Sequence, residues 1–292
     1  MHYDGPIYRP PTEQYTPLLQ VTVGCSHNKC AFCSMYRKVE FRMSPEWEII
    51  EDLQQMAAYK DKIDRVYLLN GDPFVLSADK LLRIAELLHE FLPKVRTITC
   101  YCSFADLRNK SFEELCALRK AGYNQMYIGI ETAYEPALKM INKGYTVPEA
   151  EMLLERLEKA GFSYNALLMC GIAGRGKSKE NVEATAKLVN RFKPMIVSLL
   201  STAVCPGTPL EEMRDRGEFV ELTERQQIDE EIMLLEALDM DDSCFFFGSH
   251  PYNLVPVSGN FSQKAEMIEA LREGMKEYDD EFLDSVWNRG GI

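Results

Sequence analysis

The chain alternates short apolar runs with amphipathic segments over most of its length. Six of the runs are almost continuously apolar, as expected for strands that are buried on both faces of a sheet. These runs cover residues 18–23, 65–70, 97–102, 125–130, 163–170 and 195–201. The segments between them carry apolar residues at helical spacing, for example Leu81, Ile84, Ala85 and Leu88. This alternation predicts an α/β fold in which helices cover a parallel sheet.

Several predicted helices open with a recognisable start signal. Ser77 precedes the apolar stripe just described, and Pro45 follows Ser44 at the start of an earlier helix. Ser111 and Thr146 are each followed by Glu three residues later, which is the spacing of a capping box. Six parallel strands with such helices predict a partial (β/α)6 parallel barrel, whose ligands bind at the C-terminal ends of the strands.

The same pattern divides the chain into three segments. Residues 1–16 lack periodicity and are expected to form an extended N-terminal arm, whereas residues 17–205 are expected to form the core barrel. Residues 206–292 carry two long helical patterns, 223–238 and 262–287, with a loop region rich in Phe, Gly, Pro and Asn between them. We expect this mainly helical C-terminal extension to pack on the barrel and cover it.

Composition and charge narrow the class of protein. The chain has 292 residues, of which 46% are hydrophobic and 27% charged, which is ordinary for a globular protein with a sizeable core. The net charge of −12 argues against a broad phosphate-binding surface, so nucleic acid is not an expected partner. Neither a transmembrane run nor a signal peptide is apparent, so no membrane partner is expected. Nine cysteines, an odd number, favour a reducing cytoplasm over a disulfide framework.

Three of the cysteines lie in one short loop after the first predicted strand. Cys25, Cys30 and Cys33 are separated by four and then two residues. Three thiolates can hold a metal centre but leave a fourth position open, which is typical of metals that do chemistry. Zinc and iron–sulfur clusters both accept thiolates, and spacing alone does not choose between them. His27 would complete a Cys3His site, so a zinc-binding structural or interaction protein is the alternative.

The order of the motifs resembles the radical SAM superfamily (SAM is S-adenosylmethionine), and within it the coproporphyrinogen dehydrogenase and Elongator catalytic subunit type of core domain. The family spaces its cysteines by three and then two residues, so Cys25-x4-Cys30-x2-Cys33 is a departure, whereas Phe32 matches the family pattern. The resemblance is best over residues 7–210. It implies that the three cysteines bind three irons of a [4Fe–4S] cluster and that SAM chelates the fourth iron.

The resemblance also implies a set of cofactor-binding residues in the loop and at the ends of later strands. The set is Phe32, Gly71, Asp72, Pro73, Glu131, Lys143, Gly171 and Gly174. Asp72 stands where the family has Glu near the SAM amino group, and it is one methylene shorter. Lys143 is an implied contact to the SAM carboxylate, although its position before Gly144 is equally typical of a cation at a helix C-terminus. Gly171 and Gly174 belong to a segment that resembles the family's adenine-packing glycines.

The implied activity is reductive cleavage of SAM to a 5′-deoxyadenosyl radical, which abstracts hydrogen from a small-molecule or peptide substrate that the sequence does not identify. Such an oxygen-sensitive enzyme needs a reductant such as flavodoxin or ferredoxin. The chain also resembles a set of radical SAM proteins with a late His-x-x-Asn, here His250 and Asn253, which we expect on the substrate side. Ordinary hydrogen bonding within a loop is the other interpretation of these two residues. A further alternative is an ordinary α/β-barrel enzyme whose cysteines are incidental.

Overall fold

The computed structural model describes residues 1–289, and these divide into two compact units. The first unit contains residues 1–28, 35–129 and 152–164. The second contains residues 29–34, 130–151 and the described residues from 165 onward. Each unit contains part of the predicted core barrel; the first also contains the predicted N-terminal arm, and the second contains the described part of the predicted C-terminal extension. The predicted boundaries after residues 16 and 205 remain predictions.

The first unit is built on parallel strands connected by helices. Its strands are β1 Leu18–Leu19, β2 Thr22–Val23, β3 Arg42–Met43, β4 Arg65–Leu68, β5 Thr97–Cys102 and the first four residues of β6 Met126–Glu131. Its helices are α1 Glu46–Met56, α2 Ala78–Phe91, α3 Phe104–Arg108, α4 Phe112–Lys120 and the larger part of α6 Val147–Lys159. β1 pairs with β4, β4 with β5, and β5 with β6, all in parallel.

Side-chain caps determine where these helices begin. The Ser77 hydroxyl accepts a hydrogen bond from the Lys80 amide at the start of α2. Ser111 and Glu114 form a reciprocal capping box at the start of α4. The start signals recognised in the sequence for α2 and α4 are therefore confirmed. α1 begins at Glu46, so Pro45 lies at the N-cap and not at the first helical position predicted for it.

The prediction of one strand over residues 18–23 is wrong, because this run forms two short strands with different partners. β1 pairs with β4, whereas β2 pairs with β3 in an antiparallel ribbon. The Asn70 side-chain amide donates to the Thr22 carbonyl oxygen at 2.7 Å. In a continuous strand this carbonyl would instead accept a backbone amide of the neighbouring strand. Local hydrophobicity does not reveal this break, since β3 lies far along the chain.

The second unit continues the α/β alternation. Its strands are the last two residues of β6, nearly all of β7 Tyr164–Cys170, β8 Ile196–Ser201, β9 Phe245–Phe247 and β10 Ser258–Asn260. Its helices are α5 Glu135–Met140, the start of α6, α7 Ser178–Phe192, α8 Pro209–Asp215, α9 Glu224–Ala237, α10 Lys264–Met275 and α11 Asp280–Leu283. β7 pairs with β8 and β8 with β9 in parallel, and β10 pairs with β9 in antiparallel.

The C-terminal extension differs from its prediction in two ways. The segment expected to be a loop contains β9 and β10, and β9 extends the parallel pairing of β8. The single helix expected over residues 262–287 is divided into α10 and α11. Asp279 starts α11 anew, because its carboxylate accepts a hydrogen bond from the Phe282 amide at 2.8 Å.

The predicted α/β class with a mostly parallel sheet is confirmed. Five of the six predicted strands are present with bounds that differ by at most two residues at either end. The cysteine loop follows β2, and the other candidate segments follow β4, β6 and β7 at their C-terminal ends. None of the helices among residues 1–289 is long and apolar enough to span a membrane.

Candidate active site

The cysteine loop contributes to both units. Cys25 belongs to the first unit, whereas Cys30 and Cys33 belong to the second. All three thiols are partly exposed and none forms a disulfide. No group of three or more His, Cys, Asp or Glu side chains among residues 1–289 is arranged to hold a single metal ion.

In the first unit, the turn after β4 lies directly against the Cys25 end of the loop. The Gly71 amide donates to the Gly24 carbonyl oxygen at 3.0 Å. A Cβ atom at Gly71 would lie 2.6 Å from Cys25 Cβ and 3.0 Å from both the Gly24 oxygen and a ring carbon of Tyr36. Such distances are too short for any side chain, so Gly71 is required for the close approach of these two backbone segments.

Asp72 is bonded to the same end of the loop. Its carboxylate accepts the Ser26 amide at 2.9 and 3.1 Å and also the Ser26 hydroxyl. Burial raises the pKa of Asp72, although hydrogen bonds from Ser26 and His27 act in the opposite direction. Pro73 follows as a buried residue that opens a short 3-10 turn. The predicted SAM contact Asp72 is thus engaged with the cysteine loop itself.

In the second unit, the residues between Cys30 and Cys33 are held by backbone hydrogen bonds on two sides. The Ala31 amide donates to the Ile141 carbonyl oxygen at 2.8 Å, and the Ala31 carbonyl accepts the Leu210 amide at 3.0 Å. Phe32 packs against two apolar clusters, which contain Ala31, Ile141, Met169, Ile172, Val204, Leu210 and Phe219. This part of the loop is a fixed element of the second unit.

Glu131 and Lys143 form a nearly buried ion pair beside that part of the loop. Lys143 Nζ lies 2.7 Å from Glu131 Oε1 and 5.9 Å from the centre of the Phe32 ring. Burial alone would lower the pKa of Lys143, but the negative charges of Glu131, Cys30 and Cys33 raise it overall. Glu131 itself has a φ of +61°, an uncommon conformation for a residue other than glycine. The structure therefore brings these two predicted residues together.

Gly171 and Gly174 lie in the turn after β7. A neighbouring side chain leaves no space for a side chain at Gly171. Gly171 has a φ of +78°, and a Cβ there would lie 2.9 Å from the Gln227 side chain. The Gly171 amide donates to Glu230 at 2.9 Å, and the same carboxylate oxygen accepts the Asn181 side-chain amide at 2.8 Å. The space above Gly171 is thus occupied by α9. Gly174 lies against Phe219.

His250 and Asn253 form one turn after β9. Asn253 donates to the carbonyl oxygens of Leu199 and Gly248 and accepts the Ser201 amide, at 3.0, 2.7 and 2.7 Å. Its amide is therefore committed to joining the turn to the sheet. His250 Nδ1 accepts the Tyr252 amide at 3.1 Å, and burial lowers the pKa of His250.

Two residues that support the site escaped the sequence analysis. Ser26 was available as a polar residue next to Cys25, but its partner Asp72 lies 46 positions away. Glu230 is buried on α9, two positions from the apolar residues Ile228 and Ile232 of the helix predicted over residues 223–238. Helical spacing does not place it on the face of those residues, so no local signal pointed to its burial.

Comparison with known proteins matches residues 19–189, more than half of the chain, to the family model described as the Radical SAM superfamily. Among curated proteins, the heme chaperone HemW of Buchnera aphidicola is 24% identical over 62% of this chain and 49% of its own length. The chain thus spans about half the length of this relative.

Solved structures give the same fold at low sequence identity. The archaeal Elp3 of Methanocaldococcus infernus is 17% identical, with a TM-score of 0.55 over 90% of this chain and 63% of that chain. The coproporphyrinogen III oxidase HemN of Escherichia coli, a radical SAM enzyme, is 19% identical, with a TM-score of 0.50 over 68% of this chain and 46% of that chain. Because the family model matches more than half of the chain, including the cysteine loop, this chain belongs to the radical SAM superfamily.

Proposed function

We propose that this protein is a radical SAM enzyme that cleaves SAM reductively and uses the resulting 5′-deoxyadenosyl radical to remove hydrogen from a small-molecule or peptide substrate. The observation that carries the proposal is the set of three reduced cysteines in the loop after β2, within the stretch that matches the family. Family membership implies a [4Fe–4S] cluster and SAM as the cofactors.

The donor set of the loop suits that cluster. Cys25, Cys30 and Cys33 offer three thiols, the ligand type that iron–sulfur clusters require, and leave one iron for SAM. The Lys143 ammonium is close enough to Cys30 and Cys33 for their negative charges to raise its pKa. A cation beside thiols favours the thiolate form that binds metal. The residues present therefore fit the group.

When bound, the reduced cluster supplies the electron that breaks the C5′–S bond of SAM. The task of the chain is to hold the ligands and exclude water and oxygen. The backbone hydrogen bonds of Ala31 fix the segment that carries Cys30 and Cys33. Glu131 and Lys143 provide a paired carboxylate and ammonium beside that segment. We propose that both residues bind polar groups of SAM and that Lys143 binds the SAM carboxylate.

His250 is the better of the two substrate-side candidates. The Asn253 amide is used by three backbone partners, whereas the His250 ring makes one described hydrogen bond through Nδ1. We therefore propose a substrate contact for His250 and a structural role for Asn253. A cytoplasmic flavodoxin or ferredoxin is the proposed reductant.

The test is anaerobic reconstitution with iron and sulfide, reduction, addition of SAM and measurement of 5′-deoxyadenosine. We expect product from the parent and none from Cys25→Ala, Cys30→Ala or Cys33→Ala, because each removes one cluster ligand. Cys116→Ala is the matched control, since Cys116 is a partly exposed thiol on α4, and it should retain the parent's activity.

Other outcomes separate the alternatives. Colourless protein with zinc and no sulfide would support the zinc-binding protein, and loss of zinc from the cysteine variants would identify its ligands. A cluster that remains after any one of the three substitutions would contradict the assignment of that cysteine. Protein that binds no metal would favour an ordinary α/β enzyme with incidental cysteines.

A second candidate function is heme binding, because the HemW relative is named a heme chaperone. Titration of the reconstituted protein with hemin, followed by absorbance, tests it. A stoichiometric, saturable spectral change would favour this candidate, whereas non-saturating change would leave SAM cleavage as the activity to pursue.

A further inference from the structure

Asp72 faces the cysteine loop through every contact described for its carboxylate. Both oxygens accept the Ser26 amide, at 2.9 and 3.1 Å, and Oδ2 also accepts the Ser26 hydroxyl. The backbone amide of His27 is a further donor to this carboxylate. Asp72 is 2% exposed, so water does not compete for these bonds.

The neighbouring backbone reinforces this arrangement. The Gly71 amide is bonded to the Gly24 carbonyl oxygen, so the turn lies directly against the loop. The space between them is too small for a side chain, because a Cβ at Gly71 would lie 2.6 Å from Cys25 Cβ. Cys25 therefore lies between two contacts to the same turn: Gly24 bonds to Gly71 on one side, and Ser26 bonds to Asp72 on the other. The conformation of the backbone that carries Cys25 is set by residues 71 and 72.

We propose that Asp72 and Ser26 are positioning residues that hold Cys25 in place to receive the cluster, and that Asp72 does not bind the SAM amino group. The inference rests on the proposed function, because it concerns the ligand loop of that function. The Asp72 carboxylate would lose its hydrogen bonds to Ser26 if it turned to bind SAM. Hydrogen-bonded residues behind metal ligands typically change metal affinity by about 10–100-fold when removed.

The variants are Asp72→Ala, Asp72→Asn and Ser26→Ala, with Asp79→Asn as the matched control because Asp79 is an exposed aspartate of the same unit. Three quantities are measured on each: the rate of iron loss to a ferrous chelator from the reconstituted protein, the dissociation constant for SAM per cluster, and the rate of alkylation of each cluster cysteine in cluster-free protein, mapped by mass spectrometry.

We expect Asp72→Ala to lose iron about tenfold faster than the parent, by analogy with other residues that support metal ligands. Ser26→Ala keeps its backbone bond to Asp72 and should lose iron about threefold faster, the effect of one hydrogen bond. In both variants, alkylation of Cys25 should accelerate more than alkylation of Cys30 or Cys33. The reason is that the described bonds between Asp72 and Ser26 lie at the Cys25 end of the loop. SAM affinity per cluster should not change.

Two results would overturn the proposal. The first is weakened SAM binding by Asp72→Ala or Asp72→Asn with unchanged iron retention, which would make Asp72 a SAM ligand. The second is unchanged alkylation of Cys25 in both Asp72→Ala and Ser26→Ala. If the parent itself takes up no cluster, the proposed function fails, and the alkylation rates of cluster-free protein still decide whether Asp72 anchors the loop. Ser26→Ala keeps the test valid if Asp72→Ala does not fold.

Discussion

At the scale of single residues, Glu231 on α9 is a carboxyl group in a buried position that disfavours its charged form. It is 4% exposed, and its Oε1 atom has no hydrogen-bond partner among residues 1–289. A Cβ at Gly248 would lie 2.5 Å from that oxygen, so the glycine is what leaves room for the carboxyl group. Burial raises the pKa of Glu231 from 4.5 to about 8. An acid that holds its proton more tightly when folded makes the folded state less stable as pH rises from about 4.5 to about 8.

Glu231→Gln removes the titration and retains the shape of the side chain. We expect this variant to gain free energy of unfolding relative to the parent at pH 8, by about 3–4 kcal/mol more than at pH 5. Urea unfolding of parent and variant at the two pH values measures the difference. Glu236→Gln, at an exposed position on the same helix, is the control for the substitution itself. An equal effect of Glu231→Gln at both pH values would mean that this carboxyl group does not titrate in that range.

At the scale of structural elements, a network of polar side chains binds the N-terminal arm to the rest of the first unit. Glu13 is 2% exposed, accepts the Tyr127 hydroxyl at 2.7 Å, and pairs with Arg65 at the start of β4. Burial alone would raise the pKa of Glu13, but hydrogen bonds from Arg65, Thr16 and Tyr127 lower it overall. Removing one partner of a buried pair leaves the other charge uncompensated.

Arg65→Ala should therefore lower the free energy of unfolding by about 3 kcal/mol and expose the arm to proteases. The comparison is Arg83→Ala, which breaks an ion pair with Glu46 in which both side chains are about half exposed, and which should cost less than about 1 kcal/mol. Denaturant unfolding and limited proteolysis report the two effects. Equal losses in both variants would show that burial of the Glu13 pair has no energetic consequence.

At the scale of the whole molecule, a buried ion pair joins two segments that are distant in sequence. Glu224, at the first position of α9, pairs with Arg289, and the two side chains are 0% and 2% exposed. Arg289 also donates to the Tyr252 carbonyl oxygen at 2.6 Å, so the segment after α11 is tied to the turn that contains His250.

Arg289→Ala should cost about 3–5 kcal/mol of unfolding free energy, whereas the double variant Arg289→Met with Glu224→Leu should recover most of that loss, because no unpaired charge then remains. Thermal and urea unfolding of the single and double variants measure both effects. If the double variant is no more stable than Arg289→Ala, the loss comes from packing and not from the uncompensated charge of Glu224.

The sequence predicts those elements whose signal lies within a few neighbouring residues. It does not predict contacts whose partner residue lies far along the chain. Buried strands such as β5 and β8 are visible because their apolar runs are continuous and bounded by helices with start signals. The division of residues 18–23 depends on β3 and Asn70, and no local pattern encodes them. In the same way, three cysteines are visible as ligands, but the contact of Asp72 with Ser26 depends on a turn far along the chain.

The position of Ala31 between two backbone partners makes it a natural probe of how the site is assembled. Ala31 is 3% exposed and its amide is bonded to the Ile141 carbonyl oxygen, so exchange of this amide hydrogen for deuterium requires local opening of the loop. Its protection factor in cluster-free protein measures how often the Cys30–Cys33 segment unfolds before iron arrives. Strong protection means that this half of the loop is preformed; weak protection means that part of the binding free energy of the cluster is spent on ordering the chain.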